Sequence, residues 1–141
     1  MKVLFDTDVT LDLLLDRRPH SEAVALLFSK AERGEFEGFL CATTVTTLHY
    51  LVSKALGKSK ARNSLRKLLS FLGVAAVDRN VVELALDGKG RDFEDEVISQ
   101  SASAIGARAI ITRNIRDFRK SEVPAYAPGE YLEVLKSGGR T

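Results

Sequence analysis

Apolar positions along this chain switch repeatedly between the spacing of strands and the spacing of helices. Val3, Leu4 and Phe5 form a short strand-type run that stops at Asp6. Val9, Leu11, Leu13, Leu14 and Leu15 follow with helical character. This pattern predicts a buried strand that ends in a carboxylate, with a helix behind it. Residues 17–20 read as a loop and Ser21 as an N-cap. Val24, Leu27, Phe28 and Ala31 then share one helical face up to Gly34, a good stop. Residues 38–42 read as a second strand. Thr43 or Thr44 opens a helix that carries Val45, Leu48, Val52 and Ala55 on one face and ends near Gly57. Ser59 opens the next, with Ala61, Leu65, Leu68 and Leu72 as its apolar stripe.

The second half repeats the alternation. Residues 74–77 predict a third strand ended by Asp78, and Asp78 or Asn80 caps a short helix through Leu86. Residues 88–91 read as a loop, and Asp92 opens a helix to about Gly106. Residues 109–112 form a fourth strand, and 113–122 are polar and irregular. Residues 124–127 read as a fifth, edge strand, because Pro124 lacks a ladder donor. Pro128 begins a last helix with Tyr131, Leu132 and Leu135. The expectation is one α/β domain over residues 1–136, with a mostly parallel five-stranded sheet and helices on both faces. Residues 137–141 are expected to be a disordered tail.

Composition narrows the class. A chain of 141 residues, 45% hydrophobic and 28% charged, can bury a core as a single domain. Its one cysteine, Cys41, cannot form an internal disulfide and reads as a small core residue, which suits the cytoplasm. Asp6, Asp8 and Asp12 interrupt the apolar N-terminal run, so it is not read as a signal peptide, and no run approaches membrane-spanning length. The net charge is only +2, but it is unevenly spread. No acid lies between Glu37 and Asp78, where Lys54, Lys58, Lys60, Arg62, Arg66 and Lys67 occur. That run is either a solvated helix face or a surface for anions.

The acids carry the candidate chemistry. Asp6 follows the first strand, Asp92 and Asp95 open the helix before the fourth, and Asn114 and Asp117 follow the fourth. Parallel strands gather all three places at one sheet edge, where open α/β sheets bind ligands. Close carboxylates repel by about 4 kcal/mol per pair at an effective dielectric of about 20. Either their pKa values rise or a cation neutralises them. Hard oxygen donors point to Mg²⁺ or Mn²⁺ rather than zinc. Such an ion lowers the pKa of bound water and polarises a phosphoryl oxygen. Structural roles compete: Asp6 or Thr7 suits a helix cap, Asp92 and Asp95 a capping box, and Asp117 a turn cap. Asp8 and Asp12 read as helix-start and surface residues. His20 and His49 read as structural or surface residues.

Asp6-Thr7-Asp8, Asp92-Phe93-Glu94-Asp95 and Thr112-Arg113-Asn114-Ile115-Arg116-Asp117-Phe118, in this order, resemble the motifs of a PIN domain. The resemblance runs from Lys2 to about Leu135. It implies a three-layer α/β/α sandwich and a metal-dependent ribonuclease of the kind found as toxins of VapBC-type toxin–antitoxin pairs. It places metal ligands at Asp6, Asp95 and Asp117, with Asp92 and Asn114 in support. It also implies a homodimer and an antitoxin partner. Asp8 stands where the family more often has Asn. Thr47 stands where it usually has Glu, so a negative charge is missing, and Asp92 is expected to replace it in part.

Three functions follow. The first is a Mg²⁺- or Mn²⁺-dependent endoribonuclease whose lysines and arginines from 54 to 67 attract RNA. The second, suggested by Thr47, is a degenerate PIN domain that binds RNA or a partner without cutting. The third rests on Asp6-Thr7-Asp8-Val9-Thr10, which fits the first motif of haloacid-dehalogenase-type phosphatases, with Asp6 as nucleophile. Val9 in place of Gly, and the short chain, count against that one.

Overall fold

The computed structural model of the protein describes residues 1–89 and 92–138. The elements run β1 (Lys2–Phe5), α1 (Thr7–Leu14), α2 (His20–Glu32), β2 (Glu37–Cys41), α3 (Ala42–Leu56) and α4 (Lys58–Leu69). There follow β3 (Gly73–Ala75), α5 (Arg79–Leu86), α6 (Phe93–Ala104), β4 (Ala109–Ile111), a 3-10 turn (Ile115–Phe118), β5 (Ala125–Tyr126) and α7 (Pro128–Lys136). The five strands lie in the order β3-β2-β1-β4-β5, and every pairing is parallel. β1 is therefore central. The crossovers of a parallel sheet place helices on its faces, which fits the strands' nearly continuous apolar character.

The strand pleat sends alternate side chains to opposite faces. Val3 and Phe5 of β1, with Ala109 and Ile111 of β4, join a core with α1, α2, α3, α4 and α7. Leu4 and Ile110 face the other way, against α5 and α6. Phe5 stacks on Phe28 with ring centroids 4.2 Å apart. Cys41 is buried, as expected of a core thiol. No helix among the described residues is long and apolar enough to cross a membrane.

Several boundaries differ from the sequence expectation. α1 starts at Thr7 because Asp6 itself accepts the Thr7 N–H and caps the helix. Ser21 is not the cap of α2. Pro19 precedes that helix, and the Ser21 hydroxyl donates to Asp16 Oδ1 instead, at 2.8 Å. β3 ends at Ala75 because β2 ends at the Cys41 opposite it, which leaves Ala76 and Val77 without a ladder partner. The irregular stretch 113–122 contains the 3-10 turn. Of the expected tail, Ser137 closes α7 and Gly138 follows it, while residues 139–141 lie outside the described residues. So do Gly90 and Arg91 of the expected 88–91 loop.

Candidate active site

The carboxyl ends of β1 and β4 lie side by side, with Phe5 paired to Ile111. The ladder continues one step further, as the Asp6 N–H donates to the Ile111 carbonyl at 2.9 Å. Register thus brings the residue after β1 to the residues after β4. Asp6 is only 5% exposed. One of its oxygens accepts the Thr7 N–H at 2.7 Å, and the other accepts the Thr112 hydroxyl at 2.8 Å. The Thr112 oxygen also accepts the Asn114 N–H at 2.9 Å, which ties the next loop to the same point. Asp6 therefore both caps α1 and points a charge at the sheet rim.

Burial pushes the Asp6 carboxyl up to about 7. The Asp8 charge adds to the rise, and the hydrogen bonds from Thr112 and Thr7 oppose it. Asp95, in the first turn of α6, is raised to about 6 by burial and then by the charges of Asp92, Asp117, Glu94 and Asp8. Burial also raises Asp8, whose Oδ1 accepts the Val9 N–H and whose Oδ2 accepts the Arg113 N–H at 3.0 Å. These groups lie near enough for their charges to act on one another, as the three matching positions in the sequence imply.

Asp92 caps α6 with one oxygen, Oδ1, which accepts the N–H groups of Glu94 and Asp95. The reciprocal half of a capping box, from the Asp95 side chain, does not occur among the described contacts. Asp92, Asp95 and Asp117 line one cavity of about 260 Å³ together with Lys89, Arg116, Arg119 and Lys120. Asp6 does not line it. Asn114 precedes the 3-10 turn and accepts the Asp117 N–H on its carbonyl at 3.0 Å. The Thr47 hydroxyl donates to the Thr43 carbonyl of its own helix at 3.2 Å.

The donor chemistry suits a hard divalent cation. The acids of the cavity are carboxylates with neither His nor Cys beside them, and burial together with neighbouring carboxylates disfavours the ionised forms of Asp6 and Asp95, which a cation would favour. The side chains do not close round an ion as they stand: no three ligand-type groups among the described residues are close enough to hold one.

Asp12 corrects the sequence reading. It is not a surface residue but fully buried, because Arg17 and Arg113 both pair with it at 2.7 Å. Thr112 opens the third motif but was given no role from the sequence, where its signal is a hydroxyl at the end of an apolar triplet. None of Lys54, Lys58, Lys60, Arg62, Arg66 and Lys67 lines the acidic cavity. Lys67 instead lines a hollow with Leu13, Phe28, Leu68 and Phe71. His20 and His49 also lie off the cavity, and His49 Nε2 is buried without a partner among the described residues.

No curated protein matches the chain. Among solved structures, it is similar to VapBC-1 from nontypeable Haemophilus influenzae, at 15% identity and a TM-score of 0.70, over 92% of this chain and 99% of that one. It is similar to DNA-bound VapBC from Salmonella typhimurium, at 20% identity and a TM-score of 0.69, over 91% and 98%. It is also similar to the sarcin-ricin loop cleaving toxin VapC20 of Mycobacterium tuberculosis, at 14% identity and a TM-score of 0.63, over 77% and 86%. At these identities the likeness is one of fold. The family model described as PIN domain matches residues 2–116, most of the chain, including Asp6, Asp92 and Asp95, and stops one residue short of Asp117. The chain belongs to the PIN domain family.

Proposed function

We propose that the protein is a Mg²⁺- or Mn²⁺-dependent endoribonuclease and the toxin of a cytoplasmic toxin–antitoxin pair. The observation that carries this reading is the meeting of carboxylates from separate segments at one rim: Asp6, after β1, is held by Thr112, after β4, and its carboxyl is raised by burial, with the charges of Asp8 and Asp95 adding to it. Membership of the PIN family and the likeness to VapBC structures support it. Asp6, Asp95 and Asp117 would hold the ion, with Asp92 and Asn114 in support. When bound, the ion supplies Lewis acidity to a phosphoryl oxygen.

The chain's own residues do the rest. Thr112 fixes the Asp6 carboxylate with its hydroxyl and fixes Asn114 through its oxygen. Asp92, as the cap of α6, sets the start of the helix that carries Asp95. Lys89, Arg116, Arg119 and Lys120 offer positive charge to the phosphodiester where it meets the carboxylates. An antitoxin protein would restrain the enzyme, and the toxin would act as a homodimer.

The test incubates purified protein with mixed RNA and Mn²⁺, beside an Asp6→Asn variant and an EDTA control. Cleavage by the wild type alone supports the nuclease. Equal background in all three points to a second reading, a PIN domain that binds RNA or a partner without cutting. One observation favours that reading: Thr47 brings no charge, and its hydroxyl turns back onto α3. It expects RNA binding that survives both EDTA and Asp6→Asn. The phosphatase alternative has no comparable support once the chain is placed among PIN domains.

A further inference from the structure

Asp12 sits on α1 with its carboxylate fully buried, and two arginines reach it from different segments. Arg17 Nε donates to Oδ1 at 2.7 Å. Arg113 donates Nε to Oδ2 at 2.7 Å and Nη2 to Oδ1 at 3.1 Å. A buried carboxylate costs several kcal/mol unless it is paired and hydrogen-bonded. One arginine balances the Asp12 charge, and the charge of Arg113 also acts on the neighbouring Asp8 carboxylate.

Both guanidinium groups stand beside the acidic rim. Arg17 Nη2 donates to the Asp8 carbonyl at 3.3 Å, and the Arg113 backbone N–H donates to Asp8 Oδ2. Asp8 in turn acts on the charges of Asp6 and Asp95. Both arginines keep an open edge. Their side chains are 40% and 35% exposed, and Nη1 of each has no partner among the described residues. A guanidinium held by one edge and open at another is pre-organised to grip a phosphate.

We propose that Asp12 is the positioning residue of a two-arginine fork, Arg17 and Arg113, that grips the backbone phosphate next to the scissile one. The word scissile rests on the nuclease reading; the grip on an RNA backbone phosphate does not. A phosphodiester brings negative charge to a rim that is already negative, and the fork offsets that repulsion. Without Asp12 the two cations repel each other and swing apart. Arg113 would also lose its anchor in the loop that carries Thr112, Asn114 and Asp117.

The test measures binding of a labelled single-stranded RNA oligonucleotide by fluorescence anisotropy, across a salt titration, in EDTA so that no cleavage occurs. Arg17→Gln and Arg113→Gln each weaken binding several-fold. Each flattens the slope of log affinity against log salt by up to about 0.7, the value of one phosphate contact on a single strand. Asp12→Asn separates positioning from bulk charge. It makes the protein more positive, so charge alone calls for tighter binding, whereas the fork calls for weaker binding and the same flattening. Arg113→Lys keeps the charge and loses the fork, and it decides the matter if Asp12→Asn fails to fold by circular dichroism. With Mn²⁺ present, these variants raise KM more than they lower kcat. Unchanged or tighter binding by Asp12→Asn and Arg113→Lys overturns the fork, as does a wild type that does not bind RNA. A wild type that binds but never cleaves sinks the nuclease reading and leaves the fork standing. Cleavage with KM and salt slope unmoved in the variants sinks the fork alone.

Discussion

Replacing Asp6 by Asn should stabilise the metal-free protein at alkaline pH, although it removes a residue at the heart of the site. The folded carboxyl titrates at about 7, against an ordinary value of 3.8. The folded state therefore binds more protons than the unfolded chain between those values, and stability falls as pH rises through that window. Below about pH 4 both states are protonated and nothing is lost. Above about pH 7 the full penalty applies, on the order of 4 kcal/mol at about 1.36 kcal/mol per pKa unit. An Asn side chain cannot ionise and avoids it. The swap has a cost, since the new amide presents N–H groups where Thr112 now donates at 2.8 Å. Thr112 would have to accept from that amide while also accepting from Asn114, and its own proton would be left with Asp8 at 3.5 Å. That loss is about 1–2 kcal/mol, leaving a net gain of about 2–3 kcal/mol at pH 8. Urea unfolding followed by circular dichroism in EDTA, at pH 5 and pH 8, measures it. The gain should shrink toward zero at pH 5. A variant less stable than wild type at both pH values, by the same amount, would refute the view that Asp6 carries an uncompensated buried charge.

Three further outcomes follow from the same geometry. Mn²⁺ at a concentration about a hundredfold above its Kd at pH 8 should stabilise the wild type by about 2.7 kcal/mol, and the same concentration should do less at pH 6 because Asp95 and Asp6 must ionise first; a pH-independent shift in thermal unfolding would contradict this. Asp92→Asn should weaken Mn²⁺ binding several-fold by calorimetry, since the Asp92 charge reaches Asp95; unaltered affinity would end the idea that Asp92 replaces the charge missing at Thr47. Gly38→Ala should cost about 1–3 kcal/mol in urea unfolding, because an added Cβ would stand 2.6 Å from Leu72 and 3.1 Å from Phe5; a neutral result would mean that Leu72 swings aside freely.

Much of this site could be read from the chain because short apolar runs end abruptly in acids. Val3, Leu4 and Phe5 before Asp6, and Ala109, Ile110 and Ile111 before the 112–117 segment, fix where the polypeptide reaches the rim. Parallel pairing does the rest, and it follows from the alternation of strands and helices. Asp12 was not legible. Its position on α1 is the same whether it faces water or protein, and the arginines that decide the matter lie 5 and 101 residues away. Thr112 escaped for a similar reason: the oxygen it serves is 106 residues upstream. Helix starts were ambiguous wherever several capping residues stood together. Asp6, rather than Thr7, caps α1, and its backbone is already held by β4.

β1 precedes the other strands along the chain but sits in the middle of the sheet, and the neighbour that completes its rim, β4, comes only after β2, β3 and the helices between them. A chain still emerging from the ribosome has its opening aspartate with no threonine to orient it, until Ala109–Ile111 has been synthesised and docked. Any activity seated at that edge waits for that docking.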